Sequence, residues 1–496
     1  MTLTRTAATG SRALHGRLLA VAPILLPGTE ISEGGASEML DAMVGALLED
    51  LRIDHLWLLF VAVSARYPTR DELLDCRRTF ELSGPFDATL WLLDTALEGA
   101  LGSSAPRRDM VLLRDTVLVE VDHTAKHSLH TGVQQVVREV MPHWTRDHHV
   151  VPVAWTSNWG VHRALSRREL QRVVSWGRGD AAGPSDDGAD SGAIVVPWQC
   201  VVVLAEVPFG NAPLRLSPLA QSSGNRVVAI GYDCIPVVSA DLVPTLDSSR
   251  FVEYLSVIKH ANAVAGISES AAAEFQGFVE ALPSQGLKGP AVFECLLPAA
   301  SGAATAPSDR DRTKRPMVLM VGSFEPRKNH LGVLHAAETL WREGLDFELT
   351  LIGGSGWGSE IPDRIAALTQ FGRPITVLRN VDQARLDQAY RSARFTVFPS
   401  RHEGYGLPVA ESLEAGTPVI TSDFGSLREL ASGGGAMMVD PHDDNALANA
   451  MRRLLSDDAE LALLRRQIAE RPPRTWDDYA RELWNRLVAP LLLPER

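Results

Sequence analysis

Between residues 36 and 100 the apolar side chains recur with a helical period. In "EMLDAMVGALLEDL" the residues Leu40, Met43, Val44, Leu47, Leu48 and Leu51 fall at i, i+3 and i+4 spacing, one face of a helix. "HLWLLFVAV" is apolar on every side, which marks a helix enclosed all round. Thr69 and Glu72 in "YPTRDELLDC" have capping-box spacing and start the next helix. "FDATLWLLDTALEGAL" supplies another after the Ser83-Gly84-Pro85 break. The earlier run "LLAVAPILLPG" follows Arg12 and Arg17 in the manner of a leader peptide. It holds a proline, lacks an A-x-A site and is about half the length a bilayer requires, so it reads as a segment packed on the protein or lying on a surface. Residues 1–110 are thus expected to form a helical module for docking or interaction, because no acid, nucleophile or metal cluster stands out in them.

From about residue 111 the pattern changes to short β-branched runs alternating with helices. "DTVLVEVD", "HVVPVAW", "QCVVVLAEVP", "NRVVAIGYD" and "ANAVAGIS" read as strands of a parallel sheet with helices on both faces. A Gly/Ser/Asp-rich insertion, 177–192, interrupts them, and a second low-complexity stretch, 299–316, reads as a linker. The alternation then restarts with "PMVLMVGSF", "FELTLIGG", "PITVLRN" and "FTVFPS". This predicts an α/β chain with two doubly wound, Rossmann-like domains, 111–305 and 306–475, and a ligand cleft between the carboxyl ends of their strands. The last segment, 476–496, carries an amphipathic helix whose Trp476, Tyr479 and Trp484 call for a partner surface, expected on the first domain.

Composition narrows the function. The chain has 496 residues, 48 basic against 61 acidic, and a net charge of −13. No basic field is available to replace phosphate counterions, which argues against a nucleic-acid binder. Cys76, Cys200, Cys234 and Cys295 lie far apart, without zinc-type spacing, and read as reduced, buried thiols of a cytosolic protein.

The chemistry concentrates in "SRHEGYGLPVAESLEAGTP", 400–418. After the buried strand "FTVFPS", Gly404, Tyr405 and Gly406 break the chain, and Pro408 suits the first position of a new helix ending near Gly416. Glu403 then lies in the strand-to-helix loop and Glu411 in the first helical turn. Amides from Gly406 through Leu407 to Val409 would face the cleft and hold phosphate oxygens. Glu411 can accept two hydrogen bonds from a ribose diol, and Glu403, across the phosphate site, can hold hydroxyls of whatever the phosphate carries. Arg327 and Lys328 in "VGSFEPRKN" sit side by side where a helix opens, against the helix dipole, and a diphosphate between them and the Gly406 amides supplies a reason. The turn "IGGSGWG" does not have dinucleotide-fingerprint spacing in Gly354, Gly356 and Gly358, and reads as a turn after a strand.

"GSFEPRKN", "NVDQARLDQAYRSARFTVFPSRHEGYGLPVAESLEAGTPVITSD" and "LRELASGGGAMMVDPHDDNALANAMRRLLSD" resemble the donor-binding half of family 4 retaining glycosyltransferases of GT-B fold, over essentially all of 316–460. The first domain is similar, less specifically, to bacterial mannosyltransferase-like enzymes of surface polysaccharide synthesis. There "HTGVQQVVREV" (130–140) resembles the glycine loop opening the first helix, and "YDCIPV" (232–237) the strand-end Tyr-Asp-x-Ile-Pro segment. The resemblance implies that Glu403 holds the donor sugar, Glu411 the ribose, and Arg327 and Lys328 the diphosphate. It brings Gly132 close to the reacting centre and turns Tyr232 and Asp233 toward donor sugar or acceptor. Ser323, Gly404, Tyr405, Gly406, Leu407, Pro408, Asn380 and Val381 would complete the donor site, and Asp233 would act in catalysis. Two departures stand out: Ser323 occupies a place where relatives often carry arginine, and Tyr232-Asp233 one where they often carry His-Asp.

The implied activity is retaining transfer of a hexose, mannose-like, from a nucleotide diphosphate sugar such as GDP-mannose. The acceptor would be a hydroxyl of a glycan or lipid-linked molecule in surface polysaccharide synthesis. No cofactor and no metal are expected, since the only Asp-x-Asp, Asp309-Arg310-Asp311, falls in the linker. The location implied is cytoplasmic, with peripheral membrane association or a protein partner through residues 1–110 left open. Two rivals are a glycosidase using the two glutamates, against which the neighbouring cations argue, and a non-catalytic nucleotide-sugar-binding scaffold or sensor.

Overall fold

The helical pattern at the amino terminus yields five helices: α1 Thr2–Leu25, α2 Ala36–Glu49, α3 Ile53–Ser64, α4 Arg70–Leu82 and α5 Pro85–Gly99. These come from a computed structural model that describes residues 2–28, 35–100, 105–128, 131–176, 192–298, 315–357 and 359–492, residues 2–9 by backbone alone. The inserted loop at 177–191 and the linker at 299–314, with Asp309-Arg310-Asp311, lie outside the described residues. The capping box forms: Glu72 N–H donates to Thr69 Oγ1 at 3.3 Å and Thr69 N–H to Glu72 Oε2 at 2.8 Å. Helix α3 is buried from Leu56 to Ser64, as an all-round apolar segment must be.

These helices do not stand as a separate module: they are part of the first domain's core. Leu18, Val21, Met43, Trp57 and Phe60 share one apolar cluster with Leu118, Val202 and Ala229 of the sheet. Tyr67 reaches into that sheet, donating to the Val195 carbonyl at 2.9 Å. Arg17, which lends the N-terminal run its leader-like look, is buried instead. It donates to the carbonyls of Ala62 at 2.7 Å and Pro106 at 2.9 Å. Among the described residues no helix is long and apolar enough to cross a membrane.

The first sheet has nine strands: β1 Met110–Arg114, β2 Val117–Glu120, β3 Val150–Trp155, β4 His162–Ala164, β5 Ile194–Trp198, β6 Val201–Leu204, β7 Arg226–Gly231, β8 Ala263–Gly266 and β9 Ala291–Glu294. Their order is β1-β5-β4-β3-β2-β6-β7-β8-β9. All neighbours are parallel except β4, antiparallel to β3 and β5, a short hairpin return that alternation alone did not suggest. Helices α6 Asp122–Lys126 and α7 Gly132–Asp147 follow β2. The second sheet, β10 Met317–Val321, β11 Glu348–Ile352, β12 Ile375–Leu378, β13 Phe395–Phe398, β14 Val419–Ser422 and β15 Ala436–Val439, is wholly parallel. Its order is β12-β11-β10-β13-β14-β15, so the chain reverses between β10 and β13, where ligands of doubly wound sheets bind. The C-terminal helix Trp476–Leu483 lies on α7: Trp144 Nε1 donates to the Ala480 carbonyl at 2.9 Å, and Trp484 meets Trp144 edge-on.

Candidate active site

Two loops at that reversal bring the chemistry together. The loop after β10 turns through Gly322, whose φ of 152° and contact with Lys328 exclude a side chain. It ends at Asn329, itself left-handed at φ 59°, which starts the next helix. The loop after β13 is tied to it by backbone, with Arg401 N–H donating to the Arg327 carbonyl at 2.8 Å. The consequence is one ion cluster. Arg327 lies 2.7 Å from Glu403 Oε2 and 3.0 Å from Glu325, and Lys328 Nζ lies 3.2 Å from Glu403 Oε1. Ser400 Oγ adds a hydrogen bond to Glu403 at 2.8 Å. Glu403 therefore sits between the cations, not across a phosphate site from them. Burial works to raise its carboxyl, but Lys328 and Arg327 outweigh it and hold it down at about 2.

The glycine-rich turn "IGGSGWG" props this cluster. A Cβ on Gly353 would lie 1.9 Å from the Gly322 carbonyl oxygen, and one on Gly356 the same distance from that of Phe324. Backbone packs on backbone there, which only glycine permits; Gly358 lies outside the described residues. Ser323 donates to Glu325 and so helps position that carboxylate. Asn380, left-handed at φ 52°, and Val381, packed near Tyr390, lead into the helix Gln383–Ser392.

The helix after β13 runs Leu407–Glu414, one residue earlier than Pro408 suggests, with Gly406 as its cap at φ 102°. Glu411 is consequently its fifth residue and stands beyond the first turn. Val409 N–H closes back on the Gly406 carbonyl at 2.9 Å and Pro408 has no N–H, so the amide row expected over 406–409 narrows to Gly406 and Leu407. Glu411 accepts from Tyr390 Oη at 2.7 Å and lines a cavity of about 330 Å³ with Gln135, Gln383, Asp387, Arg391 and Glu414. Burial pushes its carboxyl up to about 7, with the Asp387 and Glu414 charges adding to the rise.

The first lobe closes on these loops. A Cβ on Gly404 would meet the Tyr232 carbonyl at 2.3 Å and Asp233 Oδ2 at 3.0 Å, and one on Gly132 would meet Leu407 at 3.0 Å. Asp233 thus borders the Glu403 loop, its carboxyl raised to about 6 by burial and by Glu274. Tyr232 is a correction: it is buried, donates to the Ala205 carbonyl at 2.7 Å, and so points into the core and away from the cleft. Tyr405 is also buried, donating to the Pro298 carbonyl at 2.8 Å, and it serves the lobe interface. Sequence reasoning missed the latch beside them. His402 Nε2 lies 2.6 Å from Glu274, and Ser239 Oγ 2.8 Å from His402 Nδ1. Burial would lower the imidazole, but the bond to Glu274 prevails and raises it. Only the adjacency of His402 and Glu403 hinted at this. Among the described residues no group of three or more His, Cys, Asp or Glu side chains is gathered to hold a metal.

Residues 305–472, about a third of the chain, match the family described as Glycosyl transferases group 1. The serotype-specific mannosyltransferase WbdA of Escherichia coli is 36% identical over 117 residues, 23% of this chain and 14% of that protein. The O-antigen chain mannosyltransferase B of Escherichia coli is 32% identical over 163 residues, 32% of this chain and 42% of its own length. The chain thus spans less than half of either relative. Sucrose-phosphate synthase from Thermosynechococcus elongatus superposes with a TM-score of 0.52 at 19% identity, covering 75% of this chain and 97% of that one. Anabaena HepE, in complex with UDP and glucose, superposes with a TM-score of 0.50 at 13% identity, covering 75% and 98%. The two facing parallel-stranded lobes are the GT-B fold.

Proposed function

We propose that this chain, whose residues 305–472 are a group 1 glycosyl transferase domain in a GT-B fold, transfers a hexose, mannose-like, from a nucleotide diphosphate sugar to a glycan or lipid-linked hydroxyl in surface polysaccharide synthesis. The observation that carries the reading is the cluster of Arg327, Lys328 and Glu403 at the chain reversal, facing Asp233 of the other lobe. Breaking the sugar–phosphate bond builds negative charge on the diphosphate, and two preorganised cations stabilise that charge as it develops. An incoming diphosphate would take Arg327 and Lys328 from Glu403, leaving that carboxylate to accept hydrogen bonds from the sugar. Glu411, at the cavity lined by Gln383 and Asp387, would take the ribose diol. Transfer proceeds with retention, the leaving phosphate accepting the acceptor proton on the same face of the sugar, without an obligatory metal.

A nucleotide-sugar panel read by thermal shift, followed by transfer to mannosides and NMR of the product anomer with and without EDTA, tests this. Stabilisation by a nucleotide diphosphate hexose and an EDTA-resistant, retained product are expected. Tight binding without turnover would favour a sensor or scaffold, release of sugar without nucleotide a glycosidase, and loss restored by Mg²⁺ a metal-dependent reaction.

A further inference from the structure

The carboxyl edge of the first sheet carries an aromatic and charged group that the donor site does not use. The hairpin between β3 and β4 ends in Trp159, held at φ 56°, a left-handed backbone that a bulky residue rarely adopts. The turn is rigid: Trp159 N–H donates to the Thr156 carbonyl at 2.9 Å and Gly160 N–H to Asn158 Oδ1 at 3.2 Å. Across from it, the loop after β6 presents Phe209, 50% exposed, with ring centroids 6.3 Å apart and planes tilted by 54°. Gly210 lets the two loops meet, because a Cβ there would lie 2.7 Å from the Trp159 ring. Each ring also carries a cation. Lys126 Nζ lies 5.0 Å from the Trp159 centroid and 2.7 Å from Asp122, and Arg250 lies 5.0 Å from the Phe209 centroid.

Trp159 is partly buried against the first lobe's core, its ring 6.3 Å from that of Trp155, but folding does not account for the outward half of the arrangement. A half-exposed phenylalanine gains little from burial, and a left-handed tryptophan costs about 1–3 kcal/mol. Strain of this kind persists where a surface is preorganised. The group also stands on the strand ends that border the cleft, with β2, β3 and β6 side by side and β7 leading to Asp233. Aromatic faces bury the C–H side of a sugar ring, and ammonium and guanidinium donors take its hydroxyls.

We propose that Phe209, Trp159 and Lys126 form a subsite for one pyranose ring of the acceptor glycan, with Arg250 backing Phe209 and Asp122 orienting Lys126. It rests on the transferase reading for the word acceptor, while the sugar contact itself does not depend on turnover. Phe209 supplies the stacking face, Trp159 the wall, and Lys126 the hydroxyl donor.

The test uses the full chain with methyl α-mannopyranoside and mannobiose as probes, in saturation-transfer NMR with irradiation of aromatic protons. Saturation should reach the sugar ring protons in the wild type and fall about fivefold in Phe209→Ala, the loss of one stacked contact. Phe209→Tyr should retain it, and Lys126→Met should weaken binding without abolishing it. Nucleotide diphosphate binding, read by thermal shift in the same samples, should be equal in all variants. Undiminished saturation in Phe209→Ala, or none to either sugar in the wild type, overturns the subsite whether or not nucleotide binds. Phe209-dependent saturation in a protein that binds no nucleotide keeps the subsite and removes the transferase reading.

Discussion

The two lobes put their chemistry together in different ways. In the second lobe the ion cluster comes from two short loops, 321–329 and 400–406, at adjacent strands β10 and β13. In the first lobe the residues at the strand ends come from four separate segments, Lys126 from α6 and Trp159, Phe209 and Asp233 from three loops. Its carboxylates are also largely occupied by the fold. Glu206 accepts from the amides of His123 and Thr124, both at 2.8 Å, and so caps α6. Asp122 accepts from Trp155 N–H at 2.7 Å. The charged groups of the second lobe's cluster pair with one another, whereas Glu206 and Asp122 in the first accept from backbone amides. On the proposed reading, the second lobe's compact motif would hold the donor and the first lobe's dispersed segments would hold the acceptor.

The lobes should respond unequally to damage, and the largest difference concerns the amino-terminal helices. Removing residues 1–100 strips one face of the first sheet of Trp57, Leu58, Leu59 and Phe60, each worth about 1.5–3 kcal/mol of burial. Together that is about 6–12 kcal/mol, comparable to the whole stability of an ordinary domain. The truncated chain should lose the first lobe's cooperative unfolding transition in calorimetry, while the face of the second sheet that packs in a cluster of its own, around Val318, Leu349 and Val397, keeps native-like hydrogen-exchange protection. A truncated protein with both transitions intact would make the helices an accessory after all.

Within the second lobe, Lys328→Ala should lower kcat by about 10²–10³, the usual cost of losing one transition-state donor. Arg327→Lys keeps the charge but loses the two-pronged grip on Glu403 and Glu325, and should also be impaired, with circular dichroism unchanged. Near-normal turnover of Lys328→Ala would place the diphosphate elsewhere.

The smallest effect expected is at Glu411. Burial pushes its carboxyl up to about 7, and a diol is held best by the ionised form, so protonation opposes nucleotide binding. Affinity should therefore be full above pH 7 and fall by up to about tenfold for each unit below it, in the limit of strict dependence on charge. Glu411→Gln should bind more weakly at pH 8 and show a flat profile in calorimetric titration. An equal slope in both proteins would assign the titration to another group, such as Asp233.

Local pattern determined much of this protein. Helices α2 to α5, the Thr69–Glu72 capping box and the alternation of both sheets follow from spacing, because periods of two and near four residues dictate which face meets a core. The second lobe's motif was legible for the same reason: the reversal between β10 and β13 brings contiguous loops together wherever that order is adopted. Tertiary structure decided the rest. Whether the first helices stand apart or complete a sheet depends on which surface their apolar face finds, and Tyr67 bonding to Val195 settles it. Tyr232 and Asp233 are neighbours in sequence just past β7, yet one is anchored to Ala205 in the core and the other borders Gly404. The pairing of Glu403 with both cations, the latch of His402 on Glu274 and the meeting of Trp159 with Phe209 each join residues remote in the chain. Such contacts are created by the closure of loops and lobes, and periodicity carries no trace of them.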